Sequence, residues 1–197
     1  MIELELKSVV PDLDQLRQTL AGCRARLVFE GELQDRRYDT PDRRLLSHDE
    51  VLRVRVYRGA SGASAQLDWK GPTSLVGGYK QREELSTSLA DADTLAVVLE
   101  RLGFVVAMAI DRHIWQYELD GATLRLERYP RMDDLIEVEG SAETIERAIR
   151  RIGLPRAGFN TDRLRDFVAR YQARTGDTAR VSNAATGAAD YDAAANA

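Results

Sequence analysis

Apolar and polar positions alternate with a period of two in eight stretches of the chain, at 2–9, 27–39, 51–58, 65–70, 79–87, 105–118, 123–128 and 135–139. Successive side chains of an extended strand point to opposite faces, so each stretch predicts a strand with one apolar and one polar side. Helical spacing occupies the intervals. Leu13, Leu16 and Leu20 follow Asp12, and Leu95, Val98, Leu99 and Leu102 follow Asp91 and end at Gly103. Ile145, Ala148, Ile149 and Ile152 follow Ser141, and Leu164, Phe167, Val168 and Tyr171 follow Asn160 or Thr161. Asp, Ser, Thr and Asn are residues that accept from the free N–H groups of a first helical turn, and glycine suits the end of a helix. Strands grouped between helices, without regular helical crossovers, predict an α+β fold with antiparallel sheet, and eight strands suffice to close a barrel.

The polar faces carry an unusual load. Glu3, Glu5 and Lys7 share one side of the first strand; Arg53 and Arg55 share a side of the third; Gln66, Asp68 and Lys70, then Lys80, Arg82 and Glu84, then Arg125 and Glu127, then Glu137 and Glu139 follow in later strands. A single ExExK reads as a solvated sheet face. Repetition of mixed charge on strands whose reverse is apolar implies that helices cover the apolar side and that the charges share one surface. A curved or closed sheet gathers that surface inside, where charges persist only when paired or when they hold an ion. Arginines and lysines facing carboxylates suit a polyphosphate, whose oxygens need cations and whose bridging Mg²⁺ or Mn²⁺ needs carboxylates.

In this order the residues resemble the CYTH superfamily of triphosphate tunnel metalloenzymes, over the stretch from Met1 to about Tyr171. The quoted motifs are the ExExK of Glu3, Glu5 and Lys7, the LRVR of Arg53 and Arg55, the WKGP of Lys70, the REE of Arg82 and Glu84, then Arg112, Arg125 and the closing ExE of Glu137 and Glu139. The resemblance implies an eight-stranded antiparallel tunnel with helices outside, a divalent-metal-dependent enzyme and a frequent homodimer. It implies that Glu3, Glu5, Glu127, Glu137 and Glu139 hold Mg²⁺ or Mn²⁺. Lys7, Arg53, Arg55, Lys70, Arg82, Arg112 and Arg125 would bind the triphosphate, and Glu3, Glu5 and Lys70 would carry the catalytic work. Three activities fit: hydrolysis of a triphosphate, cyclisation of ATP as in class IV adenylyl cyclases, or polyphosphate binding without turnover. Three departures stand out. Arg37 replaces a common tunnel-facing tyrosine, which counts against thiamine triphosphate and adds a candidate phosphate contact. Asp133 replaces a glycine, and Ser86 a glutamate.

Composition sets outer bounds. The 197 residues carry 28 basic and 32 acidic side chains, a net charge of −4, which argues against a nucleic-acid binder driven by net positive charge. One cysteine, Cys23, permits no internal disulfide, and no apolar run approaches the length of a membrane span. A cytoplasmic protein with a small triphosphate ligand, binding neither nucleic acid nor membrane, is expected. His48 and His113 read as structural or exposed, and Trp69, Trp115 and Tyr117 as core. The catalytic domain is expected to span 1–174. The Ala-rich segment 175–197, almost without large apolar side chains, is expected to be a disordered tail.

Overall fold

The computed structural model describes residues 2–183, with side chains from Leu4 onward. The strands are β1 (Ile2–Val9), β2 (Arg26–Asp39), β3 (Val51–Gly59), β4 (Gly62–Lys70), β5 (Ser74–Val76), β6 (Tyr79–Leu89), β7 (Val105–Leu119), β8 (Ala122–Arg128) and β9 (Leu135–Gly140). The helices are α1 (Leu13–Gly22), α2 (Arg44–Ser47), α3 (Ala92–Arg101), α4 (Ala142–Ile152) and α5 (Leu164–Thr175). All strand pairings are antiparallel. They run β1-β9-β8-β7-β2-β3-β4-β6, and β1 pairs again with β6, so eight strands close a barrel while β5 extends only the β6 side.

The helices lie outside, where the apolar strand faces are. Leu6, Leu124, Leu126, Ile136 and Val138 send side chains outward against Leu13, Leu16 and Leu20 of α1 and Ile145, Ala148, Ile149 and Ile152 of α4. Each such fully buried leucine, isoleucine or valine contributes roughly 1.5–3 kcal/mol. Asp12 caps α1 by accepting from the Gln15 N–H at 2.8 Å, and Ser141 caps α4 by accepting from the Thr144 N–H at 3.2 Å. Asp91 does the same for α3, but the apolar face predicted there is only partly covered. Leu99 is buried with Tyr38 and Val54, whereas Val98 and Leu102 are exposed. The start of α5 also differs from expectation. The helix begins after Arg163, whose backbone N–H donates to Asp166 at 2.8 Å, rather than at Asn160 or Thr161.

The segment expected to be a disordered tail divides in two. Residues 176–183 dock on the barrel: Arg180 and Arg131 exchange backbone hydrogen bonds, and Val181 packs on the cluster of Ile110, Tyr129, Leu135 and Phe167. Asp111 accepts from Ser182 Oγ at 2.5 Å and from the Asn183 N–H at 2.7 Å. A buried carboxylate, one valine and a backbone bridge to Arg131 thus order a stretch that composition alone reads as coil. Residues 184–197 lie outside the described residues. Among the described residues, no helix is long and apolar enough to cross a membrane.

Candidate functional site

Alternation along the closed barrel carries one face of every strand inward. The resulting cavity, about 170 Å³, is lined by ten basic and five acidic side chains, against a net charge of −4 for the whole chain. Of the residues singled out from sequence, Glu5, Lys7, Arg37, Arg53, Lys70, Arg82, Arg112, Arg125, Glu127 and Glu137 line it. Arg55 and Glu139 belong to the same interior, as partners of Asp68 and Arg125 respectively. The Glu3 side chain lies outside the described atoms, although its backbone pairs with Arg82 in the β1–β6 ladder.

Strand register explains which charges meet. Glu5 lies opposite Glu139 and Lys80, and Lys7 opposite Glu137. Glu5, Glu137 and Glu139 each offer a carboxylate oxygen, and those oxygens lie within 4.8 Å of one another. Three carboxylates this close repel unless cations intervene. Lys7 Nζ reaches Glu137 Oε2 at 2.5 Å and Glu5 Oε1 at 3.2 Å, Lys80 pairs with Glu5, and Arg125 bonds both Glu137 and Glu139. Burial pushes the Glu5 carboxyl up and Glu137 adds to this, yet Lys7, Lys80 and Lys70 overcome both and lower its pKa to about 2. Burial likewise raises Glu137, and Arg125 and Lys7 more than reverse it. The donor set fits a hard divalent cation, which prefers carboxylate oxygen. Glu127 is not among the three: its Oε1 accepts from Arg112 Nε at 2.9 Å and its Oε2 from the Tyr129 hydroxyl at 2.5 Å.

The opposite wall is built around two carboxylates that sequence reading left without a role. Asp68 and Asp35 are both 0% exposed. Asp68 Oδ2 accepts from Arg53 Nε at 3.0 Å and from Arg55 Nε at 2.6 Å, and its Oδ1 accepts from Ser86 Oγ at 2.5 Å. Asp35 Oδ2 lies 3.5 Å from Arg53 and 3.9 Å from Arg112. Burial raises both acids, but the surrounding guanidiniums hold them below the ordinary carboxylate range. Between them they hold Arg53, Arg55 and Arg112, with Arg53 shared by both acids. Asp35 Oδ1, Arg37 Nε and Arg125 Nε are buried without a hydrogen-bond partner, which suits a wall that meets a polar ligand.

Lys70 pairs with Glu84, yet burial and the adjacent Arg53 pull its ammonium below the usual lysine range. Lys80 is pulled down by burial and by Lys7, despite its contact with Glu5. Both are cations in surplus positive surroundings, a state that an incoming polyanion relieves. Arg82 is partly committed elsewhere. Its Nε donates to the Gly71 carbonyl at 2.6 Å and holds the turn after Lys70, while the backbone of Gly71 packs under the Trp69 ring.

At the mouth, Asp49 sits at φ 54°, in the left-handed region, and this turn aims its carboxylate at the Thr73 N–H and at Arg163, the N-cap of α5, 2.8 and 3.0 Å away. Arg163 and Arg165 therefore line the cavity from a helix that strand parity could not place there. Lys80 was legible as an inward charge, two residues before Arg82 on the same face. Tyr129, two residues after Glu127, continues the inward parity of β8 beyond the strand's end. Arg37 faces the cavity, and Tyr38 packs outward with Val54 and Leu99, as the alternation predicts. His113 faces outward toward Glu32, 2.7 Å away.

The CYTH domain model matches residues 1–152. A Pyrococcus horikoshii protein superposes with a TM-score of 0.70 at 24% identity, covering 82% of this chain and 94% of its own. A candidate adenylate cyclase from Vibrio parahaemolyticus gives 0.75 at 18% identity, covering 86% and 98%. A candidate adenylyl cyclase from Hippeastrum, described as having a dominant triphosphatase activity, gives 0.55 at 17% identity, covering 98% and 95%. At these identities the likeness is one of fold. No curated protein sequence matches the chain.

Proposed function

The chain belongs to the CYTH domain family, and from that premise we propose that it is a divalent-metal-dependent hydrolase of triphosphate substrates, inorganic tripolyphosphate or an organic triphosphate. The observation that carries the reading is the cavity's charge: ten basic against five acidic side chains, with three carboxylates converging on one side, inside a chain of net −4. Local field, not net charge, governs capture of a polyanion.

Glu5, Glu137 and Glu139 would hold Mg²⁺ or Mn²⁺, which supplies positive charge to phosphate oxygens as a Lewis acid. The protein's own groups do the rest. Arg53 and Arg55, braced by Asp68, and Arg112 and Arg125 present guanidiniums that bind phosphate oxygens and offset charge developing on the transferred group. In the reaction, water oxygen bonds to the terminal phosphorus, the bridging P–O bond breaks, and orthophosphate and the shortened phosphate leave. Lys70, whose pKa is lowered, can give a proton to the departing oxygen.

A rival reading, cyclisation of ATP with release of pyrophosphate, is favoured by Leu46, Met108, Ile110 and Leu164, which give the same cavity an apolar side suited to a base. The test is purified protein with tripolyphosphate, ATP or thiamine triphosphate, each with Mg²⁺ or Mn²⁺. Orthophosphate from tripolyphosphate is expected; cyclic AMP with pyrophosphate from ATP would establish the rival. Tight binding without either product would refute both. Glu137→Ala combined with Glu139→Ala should abolish metal-dependent turnover and preserve the circular dichroism spectrum.

A further inference from the structure

Glu127 stands where the resemblance expects a metal ligand, but its surroundings differ from those of the three converging carboxylates. Those three crowd one another around Lys7, Lys80 and Arg125. Glu127 is 3% exposed and faces Arg112 and Arg125, both nearly as buried, with Arg125 Nε 3.4 Å from its Oε1. Its second oxygen is occupied by the Tyr129 hydroxyl, a neutral donor that a cation does not repel. Its oxygens meet two guanidiniums and a phenol from its own strand end, whereas the oxygens that converge within 4.8 Å of one another, as a shared cation requires, are those of Glu5, Glu137 and Glu139.

We infer that Glu127 is a positioning residue that aims Arg112 and Arg125 at the substrate, and that Tyr129 locks it in place; neither holds metal. This rests on the cavity being a triphosphate site. Fixed geometry matters there, because a displacement of about 1 Å in a group that stabilises the transition state costs on the order of a hundredfold in rate.

The experiment uses the full chain and three variants: Glu127→Gln, Tyr129→Phe and Glu137→Gln. Mn²⁺ binding is read directly from the electron spin resonance of free Mn²⁺, without substrate. Tripolyphosphate turnover is measured at increasing Mn²⁺. Glu127→Gln is expected to keep the wild-type Mn²⁺ affinity within about twofold, where Glu137→Gln weakens it by about tenfold or more. The kcat of Glu127→Gln is expected to fall about a hundredfold and that of Tyr129→Phe about tenfold, with neither restored by added Mn²⁺. The inference is overturned if Glu127→Gln loses Mn²⁺ as Glu137→Gln does, if excess Mn²⁺ restores its kcat, or if Tyr129→Phe turns over normally. A wild-type protein that binds Mn²⁺ but hydrolyses nothing refutes the proposed activity instead, and the Mn²⁺ comparison between variants still decides whether Glu127 is a ligand.

Discussion

Asp68 offers the sharpest stability test. Asp68→Asn keeps the shape and a carbonyl for Ser86, but removes the charge that serves Arg53 and Arg55 and turns an N–H donor toward two other donors. A hydrogen bond to a charged group contributes about 1.5–3 kcal/mol, and Asp68 makes one to each arginine, at 3.0 and 2.6 Å. Breaking a buried ion pair by removing one partner costs about 3–5 kcal/mol. Arg53 retains Asp35 at 3.5 Å, which returns part of that. The expected loss is about 3 kcal/mol, or roughly 6–12 °C in Tm at about 2–4 °C per kcal/mol for a domain of this size. Urea melts of the full chain measure it, with the slope unchanged if only stability moves. A second arm adds tripolyphosphate without metal. The polyanion replaces the missing counter-charge, so the Tm gap between wild type and variant should narrow. A loss below about 1 kcal/mol would refute the view that Asp68 braces the arginine wall, because each bond alone exceeds that figure.

Glu5 predicts an acid limb. Its pKa falls from about 4.5 to about 2 on folding, so its stabilisation is complete above about 4.5 and is lost as pH falls toward 2. Glu5→Gln should flatten the decline in ΔG of unfolding over that window, and an unaltered decline would remove Glu5 from the account. Truncation after Thr175 should lower stability by about 2–4 kcal/mol, through loss of the Val181 contacts and of two partners of Asp111. An unchanged urea midpoint would show that the docked strap contributes nothing.

The barrel was legible because parity is a local property. Glu3, Glu5 and Lys7 could be assigned one face from spacing alone, and Arg37 and Tyr38 opposite faces. The strand ends were found within a few residues, but β5 was missed, since three residues carry no usable period. What parity cannot give is the identity of a neighbour across the barrel. Asp35 and Asp68 looked like ordinary polar positions; only their juxtaposition with Arg53, Arg55 and Arg112 makes them braces. Glu127 and Glu137 have the same side chain and the same inward parity, yet one meets guanidiniums and a phenol and the other meets two more carboxylates. Arg163 and Arg165 arrive on a helix, whose docking over the mouth depends on tertiary packing of Phe167 and Leu164. The ordering of 176–183 is equally non-local, because it depends on Asp111, more than 60 residues earlier.

The closure between β1 and β6 has a kinetic side. β1 contributes Glu5 and Lys7, but its β9 partner begins at Leu135, and Leu4 lies opposite Gly140. At a synthesis rate of about 5–20 residues per second, the strand emerges roughly 7–27 s before its ladder can form. During that interval β6 offers β1 a partner only along Ile2 to Glu5, and the three-carboxylate cluster does not yet exist. Contacts of such long sequence separation are also the slow ones in refolding. Assembly of the metal-binding side should therefore trail secondary structure in a refolding experiment, and sequences fused ahead of β1 should be felt first in yield.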